Sequence, residues 1–390
     1  MEWHFARSRF EFLARAFEGS GGFNPSVTWQ TNAEGVLAPV LLTSFSEPIR
    51  YPRESLDKFA GRNAVAHYEN HLRSACERFV GFLGRRRPQR GGADSPLVKL
   101  MLEDADLRGS DLDSFWRQFA LNARARGSML LVIDKLDVVP ANAADQQRLR
   151  AVPYIRSALP ESVSAYEIDD TTGLFQSITL ADYMVIDGKK EAIERDYSTT
   201  GWQIRQKDKV IERGEHAFGA CQALAFTESG AEWPVVGKFG QVADLSRRLF
   251  NARSELDEIL RSQTFSLLAL QVPTDQSAAF EAVRDKVMAT IGTNSMLIYP
   301  GEQPAFIAPD AGPAETYGTV IQALQESISR IAMEDVTSPT KLGSNESGVS
   351  RRLRFEALNS DLATFALNMQ TLERRMWAMF ARALGTTNGV

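Results

Sequence analysis

The chain has few of the residues that carry metal and redox chemistry. Its 390 residues include two cysteines and four histidines, and the two cysteines are not close enough in sequence for a zinc finger. Cys76 and Cys221 lie far apart in the sequence, so we expect reduced thiols in a cytosolic setting rather than a structural disulfide. The first residues, Met1 to Arg7, lack the apolar core of a signal peptide.

Long apolar runs and an excess of basic charge are also absent. The longest apolar run, Met129 to Ile133, is far too short to cross a bilayer. The net charge is −5 and the sequence pI is near 5.6. Tight, nonspecific binding of nucleic acid needs a basic surface, so this balance argues against it. The same balance does not argue against DNA that passes close to the protein without being bound.

The size and composition are those of an ordinary folded protein. Hydrophobic residues make up 44% and charged residues 24% of the chain, as in soluble globular proteins. A chain of 390 residues exceeds one typical hydrophobic core, so we expect two or more domains.

Motifs for catalysis are weak. His67 and His71 stand four apart in a predicted helix, a spacing that can bind a metal. However, Tyr68 occupies the position of the zinc-protease glutamate and no third ligand is indicated, so a surface or interface pair is favoured. The glycine-rich loop 343–348 lacks the Gly-Lys-Ser/Thr end of a phosphate loop, and Glu346 would repel a phosphate. The sequence therefore predicts no catalytic residue, no metal ligand, no cofactor and no enzymatic activity.

The basic run from Arg85 to Arg90 has two interpretations. It can bind phosphates, or it can be a solvated loop at the negative end of the preceding helix. The second is the commoner case and is the one we expect.

Helical periodicity dominates the first 150 residues. The pattern predicts helices over Phe5–Phe17, Glu54–Leu83 and Ser110–Arg126, the last capped by Ser110 or Asp111 and stopped by Gly127. Leu37–Phe45 is apolar and is predicted to be extended, and Met129–Ile133 is predicted to be a buried strand.

Residues 154–226 change to a period of two. Six strand-like runs are separated by turn sequences at 169–173, 187–188 and 199–201, which are typical of hairpins. The pattern predicts an antiparallel sheet of five or more strands. The runs are Ser164–Ile168, Leu174–Leu180, Tyr183–Ile186, Ala192–Tyr197, Trp202–Arg205 and Lys209–Glu212.

The last 150 residues predict two helices around a small insert, followed by a polar loop and a long helix. The helices cover 242–266 and 313–334, and the insert between them has mixed strands and a helix. The predicted insert elements are strand Leu267–Val272, helix Ser277–Ile291, strand Ser295–Tyr299 and strand Ala305–Ala308. After the loop Val336–Gly348, the final helix reaches about Leu384.

Apolar residues of the final helix repeat in alternating steps of three and four from Phe355 to Ala383. This is the period of a seam that packs lengthwise on other helices. About 35 residues make a rod roughly 50 Å long. The seam can pack within one subunit or against a second copy, and both interpretations stay open.

The order of these parts resembles the portal proteins of tailed bacteriophages. The resemblance begins at Tyr51-Pro-Arg and continues through 102–115 and 125–134, followed by the β-rich region, helix, insert, helix, polar loop and long final helix. It covers most of residues 50–384 as segment order rather than as one diagnostic motif.

The resemblance implies an α+β, portal-like fold with long stem and channel helices, a β-rich wing and a small α/β clip. It assigns residues 1–53 to an N-terminal arm and 54–241 to the wing. Residues 242–266 and 313–334 become the stem helices, 267–312 the clip, and 335–350 the tunnel loop. Residues 351–390 become a helix from channel to wing, with the crown minimal or absent.

The same resemblance implies a homo-oligomeric ring, usually of twelve subunits, at one capsid vertex. The ring would conduct double-stranded DNA in packaging and ejection without sequence specificity. It would contact the major capsid protein, the large terminase subunit and head–tail adaptor or tail proteins, with no membrane involved. The protein would lie in the virion, and in the host cytoplasm during assembly. The alternative is an oligomeric helical scaffold or minor head protein without a DNA channel.

Three sets of residues follow from the resemblance. The tunnel-loop set is Thr337, Ser338, Thr340, Lys341, Ser344 and Asn345; the stem set is Glu315, Glu326, Arg330 and Glu334; the clip set for partner binding is Gln276, Glu281, Arg284, Asp285 and Lys286. Lys341 either touches passing phosphates or is a solvated loop lysine. The stem set is net negative, which lets a polyanion slide without strong contacts.

Overall fold

The computed structural model describes residues 3–19, 26–31, 37–42, 48–52, 54–91, 95–136, 138, 140–207, 209–216, 218–264, 267–269, 305–307, 312–332 and 348–384. The chain divides into two compact units. The larger comprises Met1–Ile49, Tyr68–Arg248 and Leu324–Val390, and the smaller comprises Arg50–His67 and Leu249–Ala323. Helices are combined with antiparallel sheets, so the predicted α+β class is confirmed.

The chain begins with a helix that packs into the larger unit. Helix α1 (Trp3–Glu18) buries Phe10 and Leu13 completely. Strands β1 (Ser26–Thr31) and β2 (Leu37–Leu42) follow as an antiparallel pair. The sequence predicted the helix over nearly the same residues and the extended segment in part.

The prediction of a single helix over Glu54–Leu83 is wrong. Two helices form instead, α2 (Leu56–Val65) and α3 (His71–Leu83). The backbone turns extended at Ala66, and the Asn70 side chain accepts a hydrogen bond from the Arg73 backbone N–H to begin α3. The same side chain donates to the Phe17 carbonyl oxygen at 2.9 Å, so a contact distant in sequence fixes where the second helix starts.

Helix α5 follows its local signals closely. After α4 (Pro96–Glu103), α5 (Leu112–Arg126) is capped by Asp111, which accepts a hydrogen bond from the Ser114 backbone N–H at 2.9 Å. Gly127 ends it in the left-handed conformation, φ 87°. Its predicted apolar face is buried, and β3 (Ser128–Lys135) is buried along 128–133.

Two sheets enclose part of the core of the larger unit. Strands β10 (Ala223–Thr227), β3 and β4 (Pro153–Ala158) form one in that order, with the short helix α6 (Ala143–Arg148) between β3 and β4 in the chain. The second sheet is an antiparallel meander of β5 (Val163–Ile168), β6 (Phe175–Ile186), β7 (Lys189–Ser198), β8 (Gly201–Gln206) and β9 (Lys209–Glu215). Apolar residues of both sheets, together with Trp233, form one buried cluster.

The predicted five-stranded sheet and its three hairpin turns are therefore confirmed. One detail differs, because Tyr183–Ile186 is not a separate strand. It is the far end of the 12-residue β6, which pairs without interruption with β7 from Ser177 to Ile186.

The C-terminal helices lie close to their predicted bounds. They are α7 (Gly240–Thr264), α8 (Gly312–Ile331) and the 36-residue α9 (Gly348–Ala383). Between α7 and α8, β11 (Leu267–Ala269) pairs antiparallel with β12 (Ala305–Ile307). The predicted helix Ser277–Ile291, the strand Ser295–Tyr299 and most of the polar loop lie outside the described residues.

The apolar seam of α9 packs within the chain along most of its described length. Leu358, Phe365, Leu372, Met376 and Met379 are buried. The Phe365 ring lies 5.4 Å from the ring of Phe79 and 5.2 Å from that of Phe226, centroid to centroid. Of the two interpretations left open, packing within one subunit is the one that holds for these five residues.

None of the helices in the described ranges is both long enough and apolar enough to span a bilayer.

Candidate functional site

The first candidate surface is the polar face of α8, defined as Glu315, Thr319, Gln322, Glu326, Ser329 and Arg330. At about 100° per residue these positions fall within an arc of roughly 100°, over a length of roughly 22 Å. Five of the six are exposed and Ser329 is half-buried. The opposite side of the helix holds Leu324 and Ile328, which are buried. The chain's own packing therefore determines which face of α8 is left to solvent.

Electrostatically, the polar face of α8 is weakly acidic. Its two carboxylates, Glu315 and Glu326, outnumber the single guanidinium of Arg330, which also donates to the Ser327 hydroxyl at 3.2 Å. Thr319, Gln322 and Ser329 supply uncharged polar groups between them. Such a surface repels a polyanion weakly and offers it no array of phosphate contacts.

Within the smaller unit, one carboxylate joins the start of α8 to α7. Glu255 accepts hydrogen bonds from the hydroxyls of both Tyr317 and Tyr51. The bond to Glu255 raises the pKa of Tyr317 to about 12. Burial, followed by the same carboxylate, raises the pKa of Tyr51 to about 12. Both phenols are therefore neutral donors at any physiological pH, and both hold the helices in place.

A buried arginine completes this network. The Arg62 side chain is 2% exposed and donates to both carboxylate oxygens of Glu54, at 2.8 and 2.6 Å, and to the Ser254 hydroxyl at 2.9 Å. Burial by itself would lower the pKa of Arg62, but the bond and charge of Glu54 raise it instead. The hydrogen bond to Ser254 joins α2 to α7, and the pair with Glu54 holds the guanidinium in place for it.

In the larger unit, a second buried arginine fixes α9 to α5. Arg124, 1% exposed, donates to Glu228 at 2.9 Å and to Asp361 at 2.5 Å. Its guanidinium lies 4.0 Å from the ring centroids of both Phe79 and Phe239. Lys238 adds a second cation 2.8 Å from Asp361, so the charges of the cluster balance in a largely dry environment.

The basic run is not uniformly solvated. Arg85 lies over the Phe82 ring at 4.1 Å, and Arg86 and Arg87 are exposed. Arg90 differs, because it is 15% exposed and pairs with Asp113 at 2.6 Å and Glu373 at 2.5 Å. The expectation of a solvated loop therefore fails for Arg90, which ties the loop to α5 and α9.

The two histidines do not form the pair that their spacing suggested. His67 lies in the extended link after α2, and His71 is the first residue of α3, so they do not share a helix face. The His71 ring lies 3.0 Å from the Glu69 carboxylate. Throughout the described residues, no group of three or more His, Cys, Asp and Glu side chains could hold a metal ion. The helical spacing argument for a metal site is wrong.

Of the residues chosen from the sequence, three come together. Glu315, Glu326 and Arg330 share the polar face of α8, whereas Glu334 lies outside the described residues. Also outside them are the tunnel-loop residues Thr337, Ser338, Thr340, Lys341, Ser344 and Asn345, and the clip residues Gln276, Glu281, Arg284, Asp285 and Lys286. Both of these sets stay predictions.

Sequence reasoning missed the buried arginines Arg62, Arg124 and Arg126. An arginine in a helix is usually exposed, and nothing local distinguishes these three. The partners of Arg124 lie 104 and 237 residues away in the chain. Arg126 likewise pairs with Glu161, 35 residues on, at 2.6 Å. Only the folded chain brings these charges together.

Comparison of the sequence with models of known protein families and with curated proteins finds no match. The function is therefore argued from the order of the elements and from the surfaces that they leave exposed.

Proposed function

We propose that the chain is the ring-forming subunit of a portal at one vertex of a tailed-bacteriophage capsid. The observation that carries the proposal is the order of elements after the β-rich region. Helix α7 leads through the β11–β12 insert into α8, and residues 333–347 then join α8 to the 36-residue α9. This is the order of stem helix, clip, stem helix, tunnel loop and channel-to-wing helix in portal proteins.

The polar face of α8 supports the conduit role. The face carries two carboxylates against one guanidinium, and its other side chains are uncharged. None of its residues belongs to the buried apolar core. Copies of α8 arranged around an axis would present this face to the lumen. A duplex would then pass a wall that neither holds its phosphates nor reads its sequence.

Exposed apolar side chains on the same helices support self-assembly. Leu260 on α7, Val320 on α8 and Phe355 on α9 are 46%, 41% and 44% exposed. A ring of identical chains covers such groups with copies of itself.

The proposal gives the remaining predicted residues their roles. The clip residues around Glu281 and Lys286 would contact the large terminase subunit or the adaptor and tail proteins. Lys341 would make one weak phosphate contact per subunit. The major capsid protein would surround the ring at its vertex. The protein would then act as a conduit and docking platform without catalysis of its own.

Particle shape tests the proposal against the alternative, a helical scaffold or minor head protein without a channel. Twelve chains of 43.3 kDa give a closed ring of about 520 kDa. We expect light scattering of the purified protein to give a mass in that range, and averaged negative-stain images to show a central hole. Oligomers without a hole would favour the scaffold. A compact monomer, both in solution and in assembled particles, would contradict the proposal.

A further inference from the structure

A large groove opens on the larger unit. It encloses about 1640 Å³ between the end of α3, the loop 84–91, the first half of α5 and the last half of α9. Small-molecule sites usually enclose about 300–1,000 Å³. The groove is therefore of a size that suits a peptide segment rather than a metabolite. We call it the basic groove.

The lining of the basic groove is positively charged although the chain is negative. Six arginines and three carboxylates line it, an excess of +3 (6 − 3), whereas the whole chain carries −5. Two of those carboxylates, Asp113 and Glu373, pair with Arg90, and the third, Asp111, caps α5. The other five arginines are exposed: Arg86, Arg87, Arg117, Arg374 and Arg382.

The groove also has an apolar component. Leu367, on its α9 side, is 61% exposed. Leu83, Met369 and Trp377 line the same space and are half-buried. Apolar surface rimmed by charge is typical of a protein-binding site.

Nucleic acid fits this groove less well than a peptide does. Stacking on a base requires a free aromatic face. Trp116 is 7% exposed and packs against Phe115 and Phe119 with ring centroids 5.7 and 5.3 Å apart. Trp377 is half-buried, packs against Phe380 with ring centroids 5.5 Å apart and donates its indole N–H to Glu373 at 3.2 Å. A polynucleotide backbone could pair with the arginines but would gain little from Leu367. A segment with both carboxylates and apolar side chains would use both parts.

We infer that the basic groove binds an acidic, amphipathic peptide segment of a partner protein. Its apolar side chains lie on Leu367 and Trp377, and its carboxylates pair with the arginines of the rim. Guanidinium groups bind carboxylates in a fixed, two-pronged geometry, and an amphipathic helix in a groove is a common mode of recognition. The inference does not depend on the proposed ring.

Three labelled synthetic peptides test it on the full-length protein. They share one set of leucine positions at helical spacing and carry glutamate, glutamine or lysine at all other positions. Fluorescence anisotropy measures their affinities. We expect the glutamate peptide to bind at least about tenfold more tightly than the lysine peptide, with glutamine between them. We expect the triple variant Arg86→Glu/Arg87→Glu/Arg374→Glu to abolish this order of affinities. We expect Leu367→Glu to lower the affinity for the glutamate and glutamine peptides.

The matched control is Arg213→Glu, an equally exposed arginine on β9 outside the groove, which is expected to leave every affinity unchanged. All altered residues are exposed, so circular dichroism should show an unchanged fold. Equal affinities for the three peptides, or tighter binding of the lysine peptide, would overturn the inference. Binding of a single-stranded oligonucleotide in the groove, without binding of the glutamate peptide, would also overturn the inference. Loss of self-association in Leu367→Glu, without any peptide binding by the wild type, would assign the groove to a second copy instead.

Discussion

Replacing Arg124 with methionine should be among the most destabilising single changes in the larger unit. Methionine keeps much of the volume of arginine but removes the cation that lies 2.9 Å from Glu228 and 2.5 Å from Asp361. Both carboxylates stay buried, since the side chain of Glu228 is 5% and that of Asp361 8% exposed. Lys238 continues to compensate Asp361, so the unpaired charge falls mainly on Glu228.

The magnitude follows from the burial. Removing one partner of a buried ion pair costs about 3–5 kcal/mol, because the remaining charge is left without solvent or counterion. The lost contacts with the rings of Phe79 and Phe239 add to this, and sulfur–aromatic contacts of methionine offset about 0.3–1.5 kcal/mol. We therefore expect the free energy of unfolding of the larger unit to fall by about 3–4 kcal/mol.

Urea unfolding followed by tryptophan fluorescence measures this quantity selectively. All six tryptophans fall in the segments that make up the larger unit, so the signal reports on that unit alone. The matched control is Arg148→Met, an arginine whose side chain is 72% exposed and lies 2.5 Å from Asp145. It should change the free energy by no more than about 0.5 kcal/mol.

A rescue experiment separates charge from packing. Adding Glu228→Gln and Asp361→Asn to Arg124→Met removes the uncompensated carboxylates, and we expect at least about 2 kcal/mol to be recovered. A loss below about 1 kcal/mol for Arg124→Met, or no recovery in the triple variant, would refute the reasoning that buried charge balance holds α9 to α5.

Three further predictions concern other parts of the chain. Glu255→Gln should lower the pKa of Tyr317 from about 12 toward its usual value near 10, and that of Tyr51 by less, because burial is the larger cause there. The difference between the phenolate absorbance titrations of the variant and the wild type measures the two shifts together, and no difference would contradict the network. Since both folded-state values are raised, the stability that these phenols contribute is fully present below about pH 10 and is lost as the pH rises through about 12. Gly127→Ala should lower the free energy of unfolding by about 3 kcal/mol or more, because its Cβ would lie 2.0 Å from the Gly237 nitrogen. Gly109→Ala, also at positive φ but in open space, should lower it by about 1–2 kcal/mol. Similar losses for the two variants in urea unfolding would refute the steric argument. Lys341→Ala should reduce DNA packaging or retention in assembled particles, and unchanged packaging and retention would remove the phosphate-contact role.

Local signals account for most of what the sequence predicted correctly. The cap at Asp111, the stop at Gly127 and the hairpin turns such as Asp187-Gly188 depend on a few neighbouring residues. Glu315, Glu326 and Arg330 were named from the sequence as charges of a predicted stem helix, and their helical positions need no tertiary contact to be recognised.

The misses involve contacts between distant segments. The break before α3 depends on a bond from Asn70 to the Phe17 carbonyl oxygen, and the partners of Arg124 come from three separate parts of the chain. The basic run Arg85–Arg90 is visible in the sequence, but the basic groove is assembled from four segments that only the fold brings together. Propensity and periodicity carry no information about such pairings.

The most direct test of the account is to locate the polar face of α8 in an assembled particle. Both native thiols are buried, with Cys76 0% and Cys221 2% exposed. A bulky maleimide should therefore label only the introduced cysteine, in the variant Gln322→Cys and in the control variant Arg213→Cys. Electron microscopy of the labelled protein should show a ring with added density inside the central hole for position 322 and away from the hole for position 213. Density for position 322 on the outer rim, or labelled particles without a hole, would contradict a channel lined by α8.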